Sequence, residues 1–150
     1  MTGIQWRETM STGVARLDAD HRELIAHVNV LGEILAAPAF DAKGAALGLL
    51  FLLRYTQDHF PREEKLMEVI DYPFITDHKA QHDEATRALH ELSRLFFLCP
   101  NRLTTGLLYD FAAGLVRHVI FLDTKLNAHV RGVTEEEGQT AEDHPQKTTS

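Results

Sequence analysis

The chain has 150 residues, 44% of them hydrophobic and 25% charged, which suits one domain around a single core and leaves no room for two of ordinary size. A net charge of −7 excludes nucleic acid and anionic lipid as principal partners, because both demand a basic surface. No apolar run approaches the roughly 20 residues of a membrane span, residues 1–7 lack the pattern of a signal peptide, and Cys99 is the only cysteine. The expectation is a cytoplasmic protein with neither disulfides nor a membrane partner.

In chain order, residues 1–17 read as a non-helical N-terminal arm with Trp6 as its anchor on the body. β-Branched alternation is lacking beyond it, and apolar residues recur at steps of three and four, the helical period. A first helix over about 18–37 opens at Asp18, a suitable N-cap, carries His21, Leu24, Val28, Leu31 and Leu35 on one stripe, and ends before Pro38. A second, about 42–71, carries Ala45, Leu49, Leu52, Thr56, His59, Glu63, Leu66 and Ile70 and stops before Pro73. A third, about 74–98, carries Ile75, His78, His82, Ala85, Leu89, Leu92 and Phe96. A fourth, about 102–131, can be capped by Asn101 and carries Leu108, Phe111, Leu115, His118, Leu122 and Leu126. Four such helices on short loops predict an all-α, antiparallel up-down-up-down four-helix bundle over residues 1–133. Residues 134–150 hold Glu135, Glu136, Glu137, Glu142 and Asp143 against Lys147 and no aliphatic residue larger than Ala141, the composition of a disordered acidic tail.

Nine histidines are an unusual number, and their placement is more unusual still. Each helix carries titratable groups on the stripe that should be apolar: His21 on the first, His59 and Glu63 on the second, His78 and His82 on the third, His118 with Asp123 on the fourth. Side chains four apart share one face of a helix, the spacing for gripping one metal ion or two adjacent ones. A single inward histidine is ordinarily a hydrogen-bonded core residue. Inward clusters on four separate helices would be costly to bury without a cation. Seven ligands exceed one tetrahedral zinc, and five imidazoles are too soft for calcium or magnesium, so two transition-metal ions fit better. If Glu63 and Asp123 both bridge, the side chains supply nine bonds and a bridging oxo or hydroxo group two more. Two octahedra then keep one open position for a small ligand such as dioxygen.

His118 and Asp123 are five apart, which on an ideal α-helix separates them by about 140°. The short aspartate demands that the fourth helix widen between them, as a π-bulge or its equivalent. His27 and His90 fall off the inward stripes and read as solvated; His129 reads as an end-of-bundle residue; His144 belongs to the tail. Cys99 has no adjacent base and reads as inert.

The chain resembles the hemerythrin family, in particular its single-domain bacterial members, over residues 4–131. The resemblance is carried by Trp6, by Thr12-Gly13-Val14 with Leu17-Asp18 and His21, and by Tyr55 with His59-Phe60-Pro61-Arg62-Glu63-Glu64 and Met67. It continues through Tyr72-Pro73, His78 and His82 to His118 and Asp123. It implies a non-heme centre of two iron ions that binds dioxygen reversibly. One ion would lie on His78, His82 and His118 and the other on His21 and His59 with the open position, with Glu63 and Asp123 bridging both. Five neutral imidazoles leave such a core with residual positive charge, so small anions are expected on the ferric form.

One position departs from the family. A tryptophan usual four residues before the fourth-helix histidine is Gly114 here. Either the oxygen pocket, walled by Leu24, Phe60, Leu115 and Val119, is opened at Gly114, or a neighbouring aromatic, Phe96 or Phe97, fills the gap. The leading expectation is an oxygen-binding carrier, store or delivery protein rather than an enzyme. The alternatives are an oxygen or redox sensor domain with a fused or separate signalling or oxygen-consuming partner, and a di-iron enzyme acting on peroxide, nitric oxide or ferrous iron.

Overall fold

The computed structural model describes residues 3–132; the expected acidic tail and His144 lie outside the described residues. Four helices run up-down-up-down: α1 Ala15–Ala36, α2 Ala42–Val69, α3 Ile75–Leu98, and α4 from Thr105 to Gly132. No strand occurs among the described residues. Each helix buries most of the stripe expected of it, with Leu35 on α1, Ile75 and Ala85 on α3, and Ile70 just after α2 only partly buried. On α2 the buried residue near the end is Met67 rather than Leu66, and on α4 Ala112 and Val119 are buried where Phe111 and Leu122 are only partly so.

The helix ends show what residue spacing alone does not give. Asp18 is not the N-cap of α1, which begins three residues earlier at Ala15; its carboxylate reaches back over the first turn instead. It accepts from the Thr12 backbone N–H at 2.7 Å, from Thr12 Oγ1 at 2.8 Å and from Ser11 Oγ at 2.6 Å, and so ties the arm to the helix. Those bonds hold its carboxyl below the usual range, although partial burial acts the other way. Gly13, between arm and helix, has φ +78°, and a side chain there would also strike Arg131 and Asn127 on α4. In the arm, Met10 is more deeply buried than Trp6, which is half-buried with the Arg22 guanidinium 4.5 Å from its ring.

α2 ends by geometry rather than at Pro73. Asp71 takes a left-handed conformation with φ 50°, the Tyr72 N–H donates to the Met67 carbonyl at 2.9 Å, and the Asp71 N–H to that of Glu68 at 3.3 Å. That is a Schellman turn, and Tyr72 packs back on Met67 to complete it. Asn101 does not cap α4, because Pro100–Arg102 form a separate 3₁₀ turn. Thr104 takes that role, its hydroxyl accepting from the Leu107 N–H at 3.2 Å.

α4 is α-helical over Thr105–His118, widens to a π turn over Val119–Asp123 and is α-helical again to Gly132. The Thr124 N–H donates to the Val119 carbonyl, five residues back, which is the widened turn that the His118–Asp123 spacing predicts. By length and composition alone this helix is long and apolar enough to cross a bilayer, against the expectation that no segment would be. Within the bundle it turns His118 and Asp123 toward the other three helices.

The core is divided. A large apolar cluster that includes Leu31, Leu49, Leu52, Leu89 and Leu108 fills the half toward the α1–α2 and α3–α4 connections. A small one of Met67, Tyr72 and Leu126 closes the opposite end. Between them lies a layer of buried polar groups, and that layer is the site.

Candidate metal centre

All four helices contribute to this layer. α1 brings His21, α2 brings His59 and Glu63, α3 brings His78 and His82, and the widened turn of α4 brings His118 and Asp123 together. The structure thus gathers all seven residues expected from the sequence. Six of them are at most 2% exposed, and His118 is 9% exposed.

Their donor atoms form two overlapping groups, Glu63, His78, His82, His118 and Asp123 in one, and His21, His59 and Asp123 in the other. Asp123 serves both with different oxygens: Oδ2 lies 3.1 Å from His21 Nε2, while Oδ1 lies 3.1 Å from His78 Nε2 and 3.0 Å from His118 Nε2. Glu63 Oε2 stands between the halves, 3.6 Å from His59 Nε2, 3.7 Å from His78 Nε2 and 3.2 Å from His82 Nε2.

These atoms converge without satisfying one another. Both oxygens of Glu63 and of Asp123, both ring nitrogens of His21 and His78, and Nε2 of His82 and His118 are buried with no hydrogen-bond partner. Unsatisfied buried polar groups cost about 1–3 kcal/mol each, so a layer of this kind needs a further positive centre. Donor atoms of one group lie within 4.8 Å of one another, and nitrogen and carboxylate oxygen suit a transition metal. The residues therefore fit a resident metal.

Protons compete for the same atoms. Burial acts against charge on His78, but Asp123 and Glu63 outweigh it and raise its pKa to about 9. Burial would raise the Asp123 carboxyl, yet His118, His21 and His78 hold it well below the ordinary range. Burial and Asp123 likewise push Glu63 up, and His78, His82 and His59 overcome them. Burial lowers the pKa of His59. Both carboxylates are thereby kept ionised for a cation.

Residue spacing alone did not single out two carboxylates outside the seven. Asp20 Oδ2 lies 3.1 Å from His59 Nδ1, with Arg62 Nη1 3.6 Å from the same oxygen. Glu64 Oε1 lies 2.9 Å from His82 Nδ1, with Lys79 Nζ 3.9 Å from Glu64 Oε2. One imidazole in each half is thus held by a carboxylate through Nδ1, and its Nε2 is left facing the layer. The signal was present, since Asp20 adjoins His21 and Glu64 adjoins Glu63, but a position beside an inward residue ordinarily reads as solvated. Replacing Asp20 or Glu64 by Ala is expected to weaken metal retention about 10–100-fold. Metal loss to a competing chelator measures this, and unchanged retention in both variants would contradict it.

Beside His21 lies a small apolar cavity of about 20 Å³, lined by Ile4, Met10, Leu24, Ile25, Val28, Ala112, Leu115, Val116 and Val119. Leu24, Leu115 and Val119 are walls the sequence suggested. Phe60 is not, for its ring stacks on His82 with centroids 4.0 Å apart, on the other half of the layer. Gly114 is not a wall either. It lines an outer groove of about 450 Å³ between α3 and α4, together with Leu115, Arg117, His118 and Phe121. Neither Phe96 nor Phe97 fills the gap, as Phe96 lies in the core cluster and Phe97 is 73% exposed. His27 is half-buried and stacks on Phe51 at 3.3 Å rather than being solvated; His90 is exposed; His129 packs edge-on to Tyr72 near the second apolar cluster.

Residues 12–129 match the model of the hemerythrin HHE cation binding domain. The chain belongs to the hemerythrin family. Among its relatives, the bacteriohemerythrin of Stenotrophomonas maltophilia (strain R551-3) is 28% identical over 119 residues, 79% of this chain and 76% of that protein. The bacteriohemerythrin of Pseudomonas paraeruginosa (strain DSM 24068 / PA7) is 30% identical over 91 residues, 61% of this chain and 58% of that protein. The crystal structure of a hemerythrin carrying a leucine-to-alanine substitution superposes with a TM-score of 0.78 at 22% identity, covering 86% of this chain and 98% of the other. The hemerythrin fold is therefore shared, and the cation-binding layer of this hemerythrin lies where its four helices converge.

Proposed function

We propose that this hemerythrin binds dioxygen reversibly at a non-heme centre of two iron ions with a bridging oxo or hydroxo group. His78, His82 and His118 would hold one ion, His21 and His59 the other, and Glu63 and Asp123 both. The observation that carries this reading is the small apolar cavity against the two-histidine half, of about 20 Å³ and walled by aliphatic side chains. Iron bound there would supply the reversible electron transfer that holding dioxygen requires. The protein's part is to exclude water from that space and to present no acid there other than the layer itself. Binding without catalysis is the role that follows, in the cytoplasm, where the exposed thiol of Cys99 would stay reduced. Small anions on the ferric form are the expected secondary ligands.

Leu115 borders both the cavity and the Gly114 groove on the α3–α4 surface. A Cβ on Gly114 would meet only Arg117 Nη2, at 3.9 Å. Gly114→Ala is expected to stabilise the fold by up to about 1 kcal/mol, read as a higher urea midpoint, whereas destabilisation would contradict the open space described. Gly114→Trp would cover Leu115 and slow both oxygen uptake and release. Repeated oxygenation and deoxygenation tests the reading as a whole: an absorption band that returns over many cycles supports a carrier or store. Rapid bleaching with consumption of reductant would favour the enzyme instead.

A further inference from the structure

Two elements of the arm wall the cavity beside His21. Ile4 lies near one end and Met10, 5% exposed, near the other, while the remaining walls come from α1 and α4. Ile4 also borders a second space, a surface groove of about 360 Å³ that includes Gly3, Asn29, Gly32 and Tyr109. Ile4, an aliphatic side chain on a segment outside the helices, therefore lines both the groove and the ligand space.

The arm is fastened unequally. At residues 11–13 the Asp18 carboxylate and the left-handed Gly13 fix it firmly. At Ile4 the backbone is held by one side chain, Asn29 Oδ1 accepting from the Ile4 N–H at 2.8 Å and Asn29 Nδ2 donating to the Ile4 carbonyl at 2.7 Å, while the Ile4 side chain packs against the large apolar cluster. Between these points Gln5, Arg7, Glu8 and Thr9 are exposed, and Trp6 is held through the Arg22 cation. Met10, at the end of the 3₁₀ turn Glu8–Met10, is buried and extends the firm attachment, so the stretch before that turn is tied down mainly at Ile4. Gly3 belongs to this device, since any side chain there would collide with the Asn29 amide.

We propose that the N-terminal arm gates an entrance to the ligand cavity, with Ile4 as the closing side chain and Asn29 as its clip. The proposal rests on the reading of this cavity as the ligand space and adds to it a determinant of entry and exit rate. Opening exposes the Ile4 backbone groups to water and leaves the seven residues of the layer in place. Loss of the clip should therefore change rates and spare iron content.

The experiment compares wild type with Asn29→Ala and Ile4→Ala by stopped-flow, following azide entry into the ferric protein and dioxygen release from the reduced one. Losing the paired amide bonds is expected to speed both about tenfold, with two irons per chain retained. Unaltered rates in both variants would overturn the gate. Ile4→Ala, outside every helix, keeps the test valid if Asn29→Ala folds poorly. Relaxation of the Met10 and Leu24 methyl groups under dioxygen pressure, on the protein as isolated, reads entry without any iron chemistry. Greater enhancement in Asn29→Ala supports the gate even if wild type shows no oxygen-dependent band, the result that would remove the oxygen reading instead. Equal enhancement overturns the gate.

Discussion

Replacing Glu63 by Ala is expected to reduce the metal content from two ions per chain to one or none, with the helices still formed. Glu63 is 1% exposed, neither of its oxygens has a hydrogen-bond partner, and Oε2 lies within 3.7 Å of imidazoles from both halves. No neighbouring side chain can take its place. The adjacent Glu64 points away and is engaged with His82 Nδ1 and Lys79. The substitution removes one of only two carboxylates in the layer, so the imidazoles would hold the cations with half the compensating charge. Elemental analysis beside far-ultraviolet circular dichroism measures the effect. Full metal content in a folded Glu63→Ala variant would show that the carboxylate is not a ligand. Glu64→Ala is the matched control, expected to loosen the metal without abolishing it.

Removing the metal from the wild-type protein is the second large effect. The layer separates two apolar clusters, and among the described residues the donor atoms that face it have only one another as neighbours of opposite charge. Anything that binds the folded chain alone stabilises it by mass action, about 4 kcal/mol when the free ligand is 1,000-fold above its Kd. For a chain of this size that corresponds to a fall in Tm of roughly 10–15 °C on exhaustive chelation. The helices should persist below the transition, because the larger cluster of Leu31, Leu49, Leu52, Leu89 and Leu108 is independent of the metal. Scanning calorimetry before and after chelation, with metal added back, measures it. An unchanged Tm would mean that the layer is satisfied without a cation.

The bundle was legible in the sequence because helix periodicity carries it: the inward stripes of α1, α2 and α3 hold nearly the residues that the three-and-four spacing selected. The ligand layer was legible for the same reason, since histidine and carboxylate on an apolar stripe break the pattern. Even the π turn followed from one number, the five-residue step from His118 to Asp123. Contacts made across the fold were less visible. Asp18 looks like a cap by its position but acts as a latch on Ser11 and Thr12, which no helical period encodes. Phe60 sits in the ligand motif yet stacks on His82, because the α2 register turns it to the opposite half. Ile4 and Met10, in a segment without periodicity, gave no sign that they wall the cavity beside His21.

The central claim is a dioxygen-binding di-iron centre held by these seven side chains. Its most direct test is iron analysis combined with absorption spectra of the reduced, oxygenated and ferric protein, repeated on His118→Ala. The account predicts two irons per chain, and a charge-transfer band that appears on oxygenation, disappears when oxygen is removed, and is lost in His118→Ala. Wild-type protein carrying two irons per chain without an oxygen-dependent band, or a band unchanged in His118→Ala, would contradict it.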